Sequence, residues 1–369
     1  MSLKRPAWPS GRIVSLEHTS KILEGNPLGD PHVRKLHVWL PPQYDQGSAG
    51  KGRGPGRRFP VLFDLVGYTG SGFSHTNWQS FQDNVPERAA RLIHQRKMGP
   101  CIVVFPDCFN ALGGNQYINS SALGNYADYL TRELVPFVDK EFRTLASRDH
   151  RGCFGKSSGG YGAMIHGMKY TSTWGAVADH SGDAYFEFVY RSDWPGNLNE
   201  LAKHRPRTRK AGPLDMAREA GAGAKDGRVK RFLDHVWSRE KLSNEEVHTL
   251  MTLCMAASYD PDPKAENGFH LPFDLETGEI NQSRWRNWLK HDPIHLVARY
   301  KKNLKALHGI YIDCGWKDQY HIHYGSRILS MRLMEHGIPH RYEEFDDNHS
   351  GVDYRMDVSL PFLVRALRG

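Results

Sequence analysis

Three segments of this sequence are almost continuously apolar, and they constrain its fold more than any other feature. They are VLFDLV (61–66), CIVVF (101–105) and GIYI (309–312). Strands that are buried on both faces of a parallel sheet have this pattern, whereas a strand with one solvent-exposed face alternates between apolar and polar residues. The segment HVRKLHVWL (32–40) alternates in that way. We therefore expect antiparallel edge strands that lead into a buried parallel sheet.

Strand and helix patterns alternate along most of the chain. Strands are predicted at 11–20, 32–40, 59–66, 101–106, 151–155, 174–180, 309–315 and 341–346. Helices are predicted at 86–97, 125–142, 158–170, 324–337 and 356–368. This alternation predicts a doubly wound α/β fold, with a mostly parallel central sheet and helices on both faces. Ligands of such sheets bind at the carboxyl ends of the strands, so a site is expected in the loops that follow them.

The alternation stops between residues 184 and 305. That stretch contains mostly helical and irregular sequence, including RVKRFLDHVWSRE (228–240) and NEEVHTLMTLCMAAS (244–258). We interpret it as a mainly helical lid inserted into one α/β domain, because such domains often exceed 200 residues. The predicted organisation is an N-terminal core part (1–183), the insertion, and a C-terminal core part (306–369).

Composition argues against several other classes of protein. The five cysteines are odd in number and contain no C-x-x-C pair, which favours neither a disulfide framework nor a zinc knuckle. The start MSLKRPAW is not followed by an apolar segment, and no 18 uncharged apolar residues run together, so we expect a cytoplasmic protein without a membrane partner. The sequence has a net charge of +8, and its basic residues cluster at 51–58, 205–210 and 225–231. No aromatic residues are interleaved in these clusters. These clusters favour solvated loops over nucleic-acid binding.

Two adjacent serines lie in the glycine-rich segment FGKSSGGYG (154–162). The pattern G-x-S-x-G centred on Ser157 stands between a predicted strand and a predicted helix, which is the setting of a nucleophile elbow. Because the elbow holds its serine in a strained backbone conformation, the residues two before and two after it must be small. Both are glycines for Ser157, whereas Lys156 holds the first of these positions for Ser158. Ser157 is therefore the candidate nucleophile, and Ser158 would offer its backbone N–H to an oxyanion hole.

A reactive serine needs a base to take its proton and an acid to fix the tautomer of that base. The candidate base is His349, in FDDNHSG, which follows the last predicted strand and precedes the last predicted helix. The candidate acid is Asp318, in CGWKDQY, a few residues beyond the preceding strand, with Asp346 and Asp347 as alternatives. Serine, aspartate and histidine then follow one another in the chain order of the α/β-hydrolases.

Together these segments resemble the putative-esterase family of α/β-hydrolases, which includes feruloyl and acetylxylan esterases, S-formylglutathione hydrolases, enterochelin esterases and mycolyl transferases. The resemblance is carried by VWLPPQYD, FPVLFDLVGYTGSG, LTRELVPFVDKEFRT, GKSSGGYGAMIHGMKY, DCGWKDQY and DDNHSG. It implies the α/β-hydrolase fold and a serine esterase that forms an acyl-enzyme on Ser157, with His349 as base and Asp318 as the acid that orients it. It also implies that the second oxyanion donor is the backbone N–H of Tyr68, after the glycine that ends the third strand.

Two alternative functions remain at this point: an acyltransferase that uses the same acyl-enzyme, and a non-catalytic binding module with the same fold. No cofactor or metal is expected, since HIH (321–323) and DPDPKAEN (260–267) lack the ligand spacing of zinc and calcium sites. The expected partner is a small-molecule ester. Substrate contacts are predicted for Tyr117, Asn119, Tyr161 and Trp194.

Overall fold

An eight-stranded sheet forms the centre of the protein, and each of its strands is one that the sequence predicts. The strands are β1 (Arg12–Thr19), β2 (Val33–Leu40), β3 (Val61–Leu65), β4 (Ile102–Pro106), β7 (Arg151–Lys156), β8 (Ala176–His180), β9 (Gly309–Gly315) and β10 (Arg341–Phe345), while β5 (Asn119–Ser120) and β6 (Gly124–Asn125) pair separately. The order across the sheet is β1-β2-β4-β3-β7-β8-β9-β10. Strand β2 is antiparallel to both of its neighbours, and all other neighbours are parallel. The predicted antiparallel edge and parallel centre are therefore confirmed.

The structure, a computed structural model, describes residues 8–45, 56–206 and 227–367. Most of the basic cluster 51–58 lies outside these ranges, as do the end of 205–210 and the start of 225–231. All five cysteines lie within the described ranges as buried free thiols. Among the described helices, none combines the length and the apolar composition that are needed to cross a bilayer.

Alternate residues of the buried strands contribute to two hydrophobic cores, one on each face of the sheet. In β3, Phe63 and Leu65 belong to one core and Leu62 to the other. The helices are α1 (Val85–His94), α2 (Tyr126–Asp128), α3 (Val135–Glu141), α4 (Ser158–Lys169), α5 (Phe186–Val189), α6 (Trp194–Ala202), α7 (Arg228–Trp237), α8 (Asn244–Tyr259), α9 (Gln282–Leu289), α10 (Pro293–Lys305), α11 (Ile322–Glu335) and α12 (Met356–Ala366). Helices α1 and α12 cover one face of the sheet, and α4, α10 and α11 cover the other. Burial on both faces is why these strands are apolar at nearly every position.

The helix predicted at 125–142 is interrupted. Residues Tyr129–Leu134 form a π-helical turn between α2 and α3, in which the Val135 N–H donates to the carbonyl of Leu130, five residues back. Pro136 follows at once, and its ring lacks an N–H and crowds the preceding turn of a regular α-helix. The wider turn accommodates the proline without ending the helical path.

The described part of the predicted insertion is largely helical, and two of its helices pack in different places. Helix α8 begins with a capping box in which the Ser243 side chain accepts from the Glu246 N–H, and it packs against α6. Helix α10 instead packs against α4 and α11 and leads directly into β9, which is the place of a crossover helix. We propose that the insertion proper lies between β8 and α10.

Candidate active site

Ser157 occupies the turn between β7 and α4. Its backbone has φ 58° and ψ −124°. This conformation is unfavourable in free energy for every residue except glycine. Two backbone hydrogen bonds of 2.9 Å hold the turn: the Ser157 N–H donates to the carbonyl of His180, and the Ser157 carbonyl accepts from Tyr161. The partly exposed hydroxyl has no hydrogen-bond partner among the described residues. It is therefore free to approach a ligand.

The glycines on either side of Ser157 lie where strand and helix nearly touch. A Cβ atom on Gly155 would lie 2.5 Å from the carbonyl carbon of Gly159. A Cβ atom on Gly159 would lie 2.6 Å from the carbonyl carbon of Leu65 and would collide with its oxygen. Neither contact can be relieved by rotating a side chain, because backbone atoms cause both. Backbone crowding is thus the reason that the residues two before and two after Ser157 must be small.

We expect Gly159→Ala to lower the free energy of unfolding by about 3 kcal/mol or more, since the added methyl group must displace β3 from α4. The matched control is Gly196→Ala on α6, where an added Cβ would meet nothing within 4 Å. Alanine is the better helix former, so the control should leave stability unchanged or raise it by up to about 1 kcal/mol. Urea unfolding of the two variants measures both values, and equal stabilities would contradict the crowding argument.

His349 and Asp318 form a buried pair beyond the ends of β10 and β9. Nδ1 of His349 lies 2.7 Å from Oδ2 of Asp318, while Oδ1 of Asp318 accepts from the Tyr320 N–H at 2.9 Å. The His349 backbone N–H donates to the side chain of Gln319 at 3.0 Å. The ring of Tyr320 meets the imidazole edge to face, with 4.9 Å between centroids. These contacts fix both the position and the plane of the imidazole.

The Asp318 carboxylate is held in its ionised form. Burial raises the pKa of Asp318, but the hydrogen bond and charge interaction with His349, together with backbone N–H donors, outweigh burial and lower this pKa below its usual value. An ionised carboxylate can only accept, so Nδ1 of His349 carries the proton and Nε2 is left as the basic atom. The geometry favours Asp318 over the two alternatives, because Asp346 pairs with Lys317 and Asp347 accepts from Tyr354.

One cavity of about 200 Å³ brings the predicted residues together. It is lined by Ser157, His349, Tyr68 and Ser158. Asp318 does not line the cavity but contacts the imidazole of His349 through Nδ1. The other lining residues are Gly67, Thr69, Lys156, Asp183, Val189, Tyr190, Val247, His248, Met251, Tyr320 and Ile322. They come from the loops after the parallel strands, from α5 and α11, and from α8 of the insertion. The insertion therefore contributes directly to the cavity.

Two backbone N–H groups are available beside the Ser157 hydroxyl. Neither the Tyr68 nor the Ser158 N–H donates to any acceptor within the described ranges. A Cβ atom on Gly67 would lie 3.4 Å from the Ser157 Cβ, which places the loop after β3 against the turn. Unpaired N–H groups next to a nucleophile are the arrangement that stabilises an oxyanion.

The Ser158 side chain is part of a buried network and not of the reactive group. It is 1% exposed, and its hydroxyl oxygen accepts from Nε2 of Gln116 at 2.9 Å. The same amide nitrogen lies 3.3 Å from Oδ2 of Asp183. Of the two serines, only Ser157 presents an unpaired hydroxyl to the cavity.

The four predicted substrate contacts do not line this cavity, and that expectation is corrected here. The Tyr117 hydroxyl donates to the carbonyl of Val66 at 2.6 Å, and Tyr161 donates to that of His291 at 3.1 Å. Asn119 is exposed and accepts from a backbone N–H. Trp194 is 5% exposed inside a cluster of aromatic rings. These side chains stabilise the loops and the insertion instead.

Sequence reasoning missed Asp183 and the residues that α8 contributes to the cavity. Asp183 follows β8, so a search of every loop after a strand would have found it. Val247, His248 and Met251 lie on one face of α8, and their position depends on how the insertion packs. The sequence carries no signal for that packing.

A separate cluster has the residue types of a metal site. Glu187, Asp292 and His295 place ligand atoms within 4.8 Å of one another, and none of the three lines the cavity of Ser157. Asp292 is fully buried and accepts three backbone N–H groups. Burial raises the pKa of this carboxyl group to about 7 in spite of those hydrogen bonds.

Comparisons with known proteins identify the family and the fold. A family model described as "putative esterase" matches residues 31–359. The esterase Rv1288 of Mycobacterium tuberculosis is 30% identical over 156 residues, which is 40% of this chain and 29% of that protein, so the match spans less than a third of the relative. A ferulic acid esterase structure has a TM-score of 0.57 at 17% identity, covering 96% of this chain and 98% of the other. An S-formylglutathione hydrolase from Agrobacterium tumefaciens has a TM-score of 0.55 at 15% identity, covering 98% of both chains. The fold is that of the α/β-hydrolases.

Proposed function

The chain belongs to the putative esterase family, and we propose that it is a serine carboxylic-ester hydrolase whose triad is Ser157, His349 and Asp318. One observation carries the proposal: a serine on a strained turn and an imidazole fixed by an ionised carboxylate line the same cavity. The hydrolysed substrate is a small-molecule ester.

The first half-reaction transfers the acyl group to the protein. The Ser157 Oγ attacks the ester carbonyl carbon while Nε2 of His349 takes the hydroxyl proton. The carbonyl oxygen becomes an oxyanion, which accepts hydrogen bonds from the N–H groups of Tyr68 and Ser158; one such donor typically contributes about 10² to 10³ in rate. The carbonyl then re-forms, the bond to the alcohol oxygen breaks, and His349 returns its proton to the departing alcohol. An acyl ester on Ser157 remains.

The second half-reaction releases the acid. Water attacks the acyl carbonyl, His349 takes a proton from the water, and the oxyanion forms at the same two N–H groups. The carbonyl re-forms, the bond to the Ser157 oxygen breaks, and that oxygen recovers a proton from His349. One ester and one water are converted into one acid and one alcohol, so no cofactor takes part in the balance.

We expect esters with short acyl groups to be the best substrates. The cavity of about 200 Å³ is smaller than the range of roughly 300–1,000 Å³ that is typical of ligand sites. A panel of p-nitrophenyl esters from acetyl to octanoyl, extended with a feruloyl ester and an S-formyl thioester, tests this expectation. The kcat/KM for acetyl should exceed that for octanoyl at least about tenfold.

The same panel separates hydrolysis from the alternatives. Release of free acid in water supports a hydrolase, whereas turnover only in the presence of an added alcohol indicates an acyltransferase. Absence of turnover for every ester, together with absence of a covalent fluorophosphonate adduct, would indicate a binding module and overturn the proposal.

A further inference from the structure

A buried carboxylate that the ester mechanism does not use lies in the active-site cavity. Asp183, in the loop after β8, is 5% exposed and lines the cavity together with Ser157. Its Oδ2 atom accepts from the Tyr190 hydroxyl at 2.8 Å and from the Gln116 amide at 3.3 Å. Its Oδ1 atom accepts from no described residue and is accessible to solvent. One oxygen is therefore satisfied by the protein and the other is open to the cavity.

Two other buried aspartates of the described chain have partners at both oxygens. Both oxygens of Asp292 accept backbone N–H groups. In Asp313, Oδ1 faces His180 at 2.6 Å, and Oδ2 accepts from Arg355 at 2.9 Å. Those carboxylates lie outside the cavity and hold the fold together. Burial of a carboxylate costs free energy unless its oxygens are paired, so the open oxygen of Asp183 pairs either with water or with a donor of a bound ligand.

Within the described ranges, the two side-chain donors that reach Asp183 both bind its Oδ2 atom. Because the Tyr190 hydroxyl donates to Asp183, the Tyr259 hydroxyl, 3.1 Å from that of Tyr190, must be the donor of that contact. The Gln116 amide nitrogen is shared among the Ser158 hydroxyl, the Met255 sulfur and Asp183. The contacts with Tyr190 and Gln116 hold Oδ2, and Oδ1 is left open to the cavity. Burial raises the pKa of Asp183, and hydrogen bonds from Tyr190 and Gln116 together with the charge of His349 oppose that shift.

We propose that Oδ1 of Asp183 binds a hydrogen-bond donor of the substrate, a hydroxyl or an ammonium group placed close to the scissile ester. The closeness follows from the cavity, since a group that fills about 200 Å³ and touches Asp183 lies near Ser157. The inference rests on the proposed esterase function and names its substrate class: esters of small hydroxy or amino acids, or of small diols and amino alcohols. A site built to pair a donor discriminates against the analogue that lacks it, because its polar atom is then left unpaired.

Matched pairs of esters test this inference, with acid release followed by pH-stat titration. On the acyl side, ethyl hydroxyacetate and glycine ethyl ester are each compared with ethyl propanoate, which replaces the donor with a methyl group of similar size. On the alcohol side, 2-hydroxyethyl acetate is compared with propyl acetate. We expect the donor-bearing ester of at least one side to have a kcat/KM ten- to a hundredfold higher. The two sides tell which half of the ester carries the donor, and the two acyl-side donors distinguish hydroxyl from ammonium.

The diagnostic variant is Asp183→Asn. The amide oxygen of the new side chain will accept from Tyr190 and Gln116, which leaves its NH₂ group where Oδ1 stood. A donor then faces the substrate donor, so the preference should fall at least about fivefold and approach unity. Asp149→Asn is the matched control, since Asp149 is an exposed carboxylate that precedes β7 at the opposite end of that strand from Ser157. It should leave the preference unchanged.

Failure of this inference is distinguishable from failure of the esterase function. If the wild type hydrolyses the propanoate and acetate esters but prefers neither donor-bearing partner, the role of Asp183 is overturned and the esterase function stands. The same holds if Asp183→Asn retains the full preference. Should that variant not fold, the wild-type preference alone decides, because it compares substrates on one protein. If the wild type hydrolyses no ester at all, both proposals are overturned.

Discussion

Replacing Ser157 with alanine is expected to reduce kcat for ester hydrolysis by at least about 10⁴-fold, while Ser158→Ala should retain activity within about tenfold. The first substitution removes the hydroxyl that lines the same cavity as the imidazole, and the residual rate comes from binding and the oxyanion donors alone. The second keeps the backbone N–H that we propose as an oxyanion donor. Alanine is also well tolerated at the start of a helix.

The pair of substitutions is a matched test, since the residues are adjacent and have the same side chain. The Ser158 hydroxyl accepts from Gln116, so its loss costs one hydrogen bond, about 1 kcal/mol of stability. Steady-state hydrolysis of p-nitrophenyl acetate, with circular dichroism to verify folding, measures both effects. An active Ser157→Ala and an inactive Ser158→Ala would reverse the assignment of the nucleophile.

Asp318→Asn is expected to lower kcat by about 10⁴-fold without a large change in KM. An asparagine at this position can present its NH₂ group to Nδ1 of His349, which moves the ring proton to Nε2, so that Nε2 can no longer accept the serine proton. The substituted side chain has the same size and keeps the packing of the loop. The effect therefore reports on the tautomer and charge of the base.

The matched control for this change is Asp346→Asn in the same loop cluster. Asp346 is exposed and pairs with Lys317, and a surface ion pair contributes little to stability. Its loss should change kcat less than about twofold. Comparable losses in the two variants would mean that a general disturbance of the loop, and not the pair with His349, sets the rate.

The order of the strands along the chain could be read from the sequence because each strand has a local cause. The runs 61–65, 102–106 and 309–312 are apolar at nearly every position because both of their faces are buried. The bounds of the helix after the elbow were also readable, since a G-x-S-x-G turn begins it. The π-helical turn at Tyr129–Leu134 was not, because a proline inside a helical pattern predicts a break without saying what form it takes.

The proposed triad rests on the same reasoning, since strand ends in a parallel sheet share one edge. Ser157, Asp318 and His349 each follow a different strand, which brings Ser157 and His349 to one cavity with Asp318 paired to His349. The substrate contacts failed because an aromatic side chain near the active-site edge has two uses that sequence cannot separate. The Tyr117 hydroxyl, for example, donates a hydrogen bond to the backbone carbonyl of Val66 within the core.

The walls of the cavity were beyond sequence reasoning for a different physical cause. His248 and Met251 line the cavity because of where α8 lies, and that placement depends on long-range packing of α8 against α6. No local pattern encodes such packing.

The most direct test of the central claim is to identify which side chain carries the acyl group. A slowly hydrolysed ester or a fluorophosphonate probe is reacted with the intact protein, which is then digested and its modified peptide sequenced by mass spectrometry. The account predicts one adduct on Ser157, present in Ser158→Ala and absent in Ser157→Ala. An adduct on Ser158, or one that survives the loss of the Ser157 hydroxyl, would contradict it.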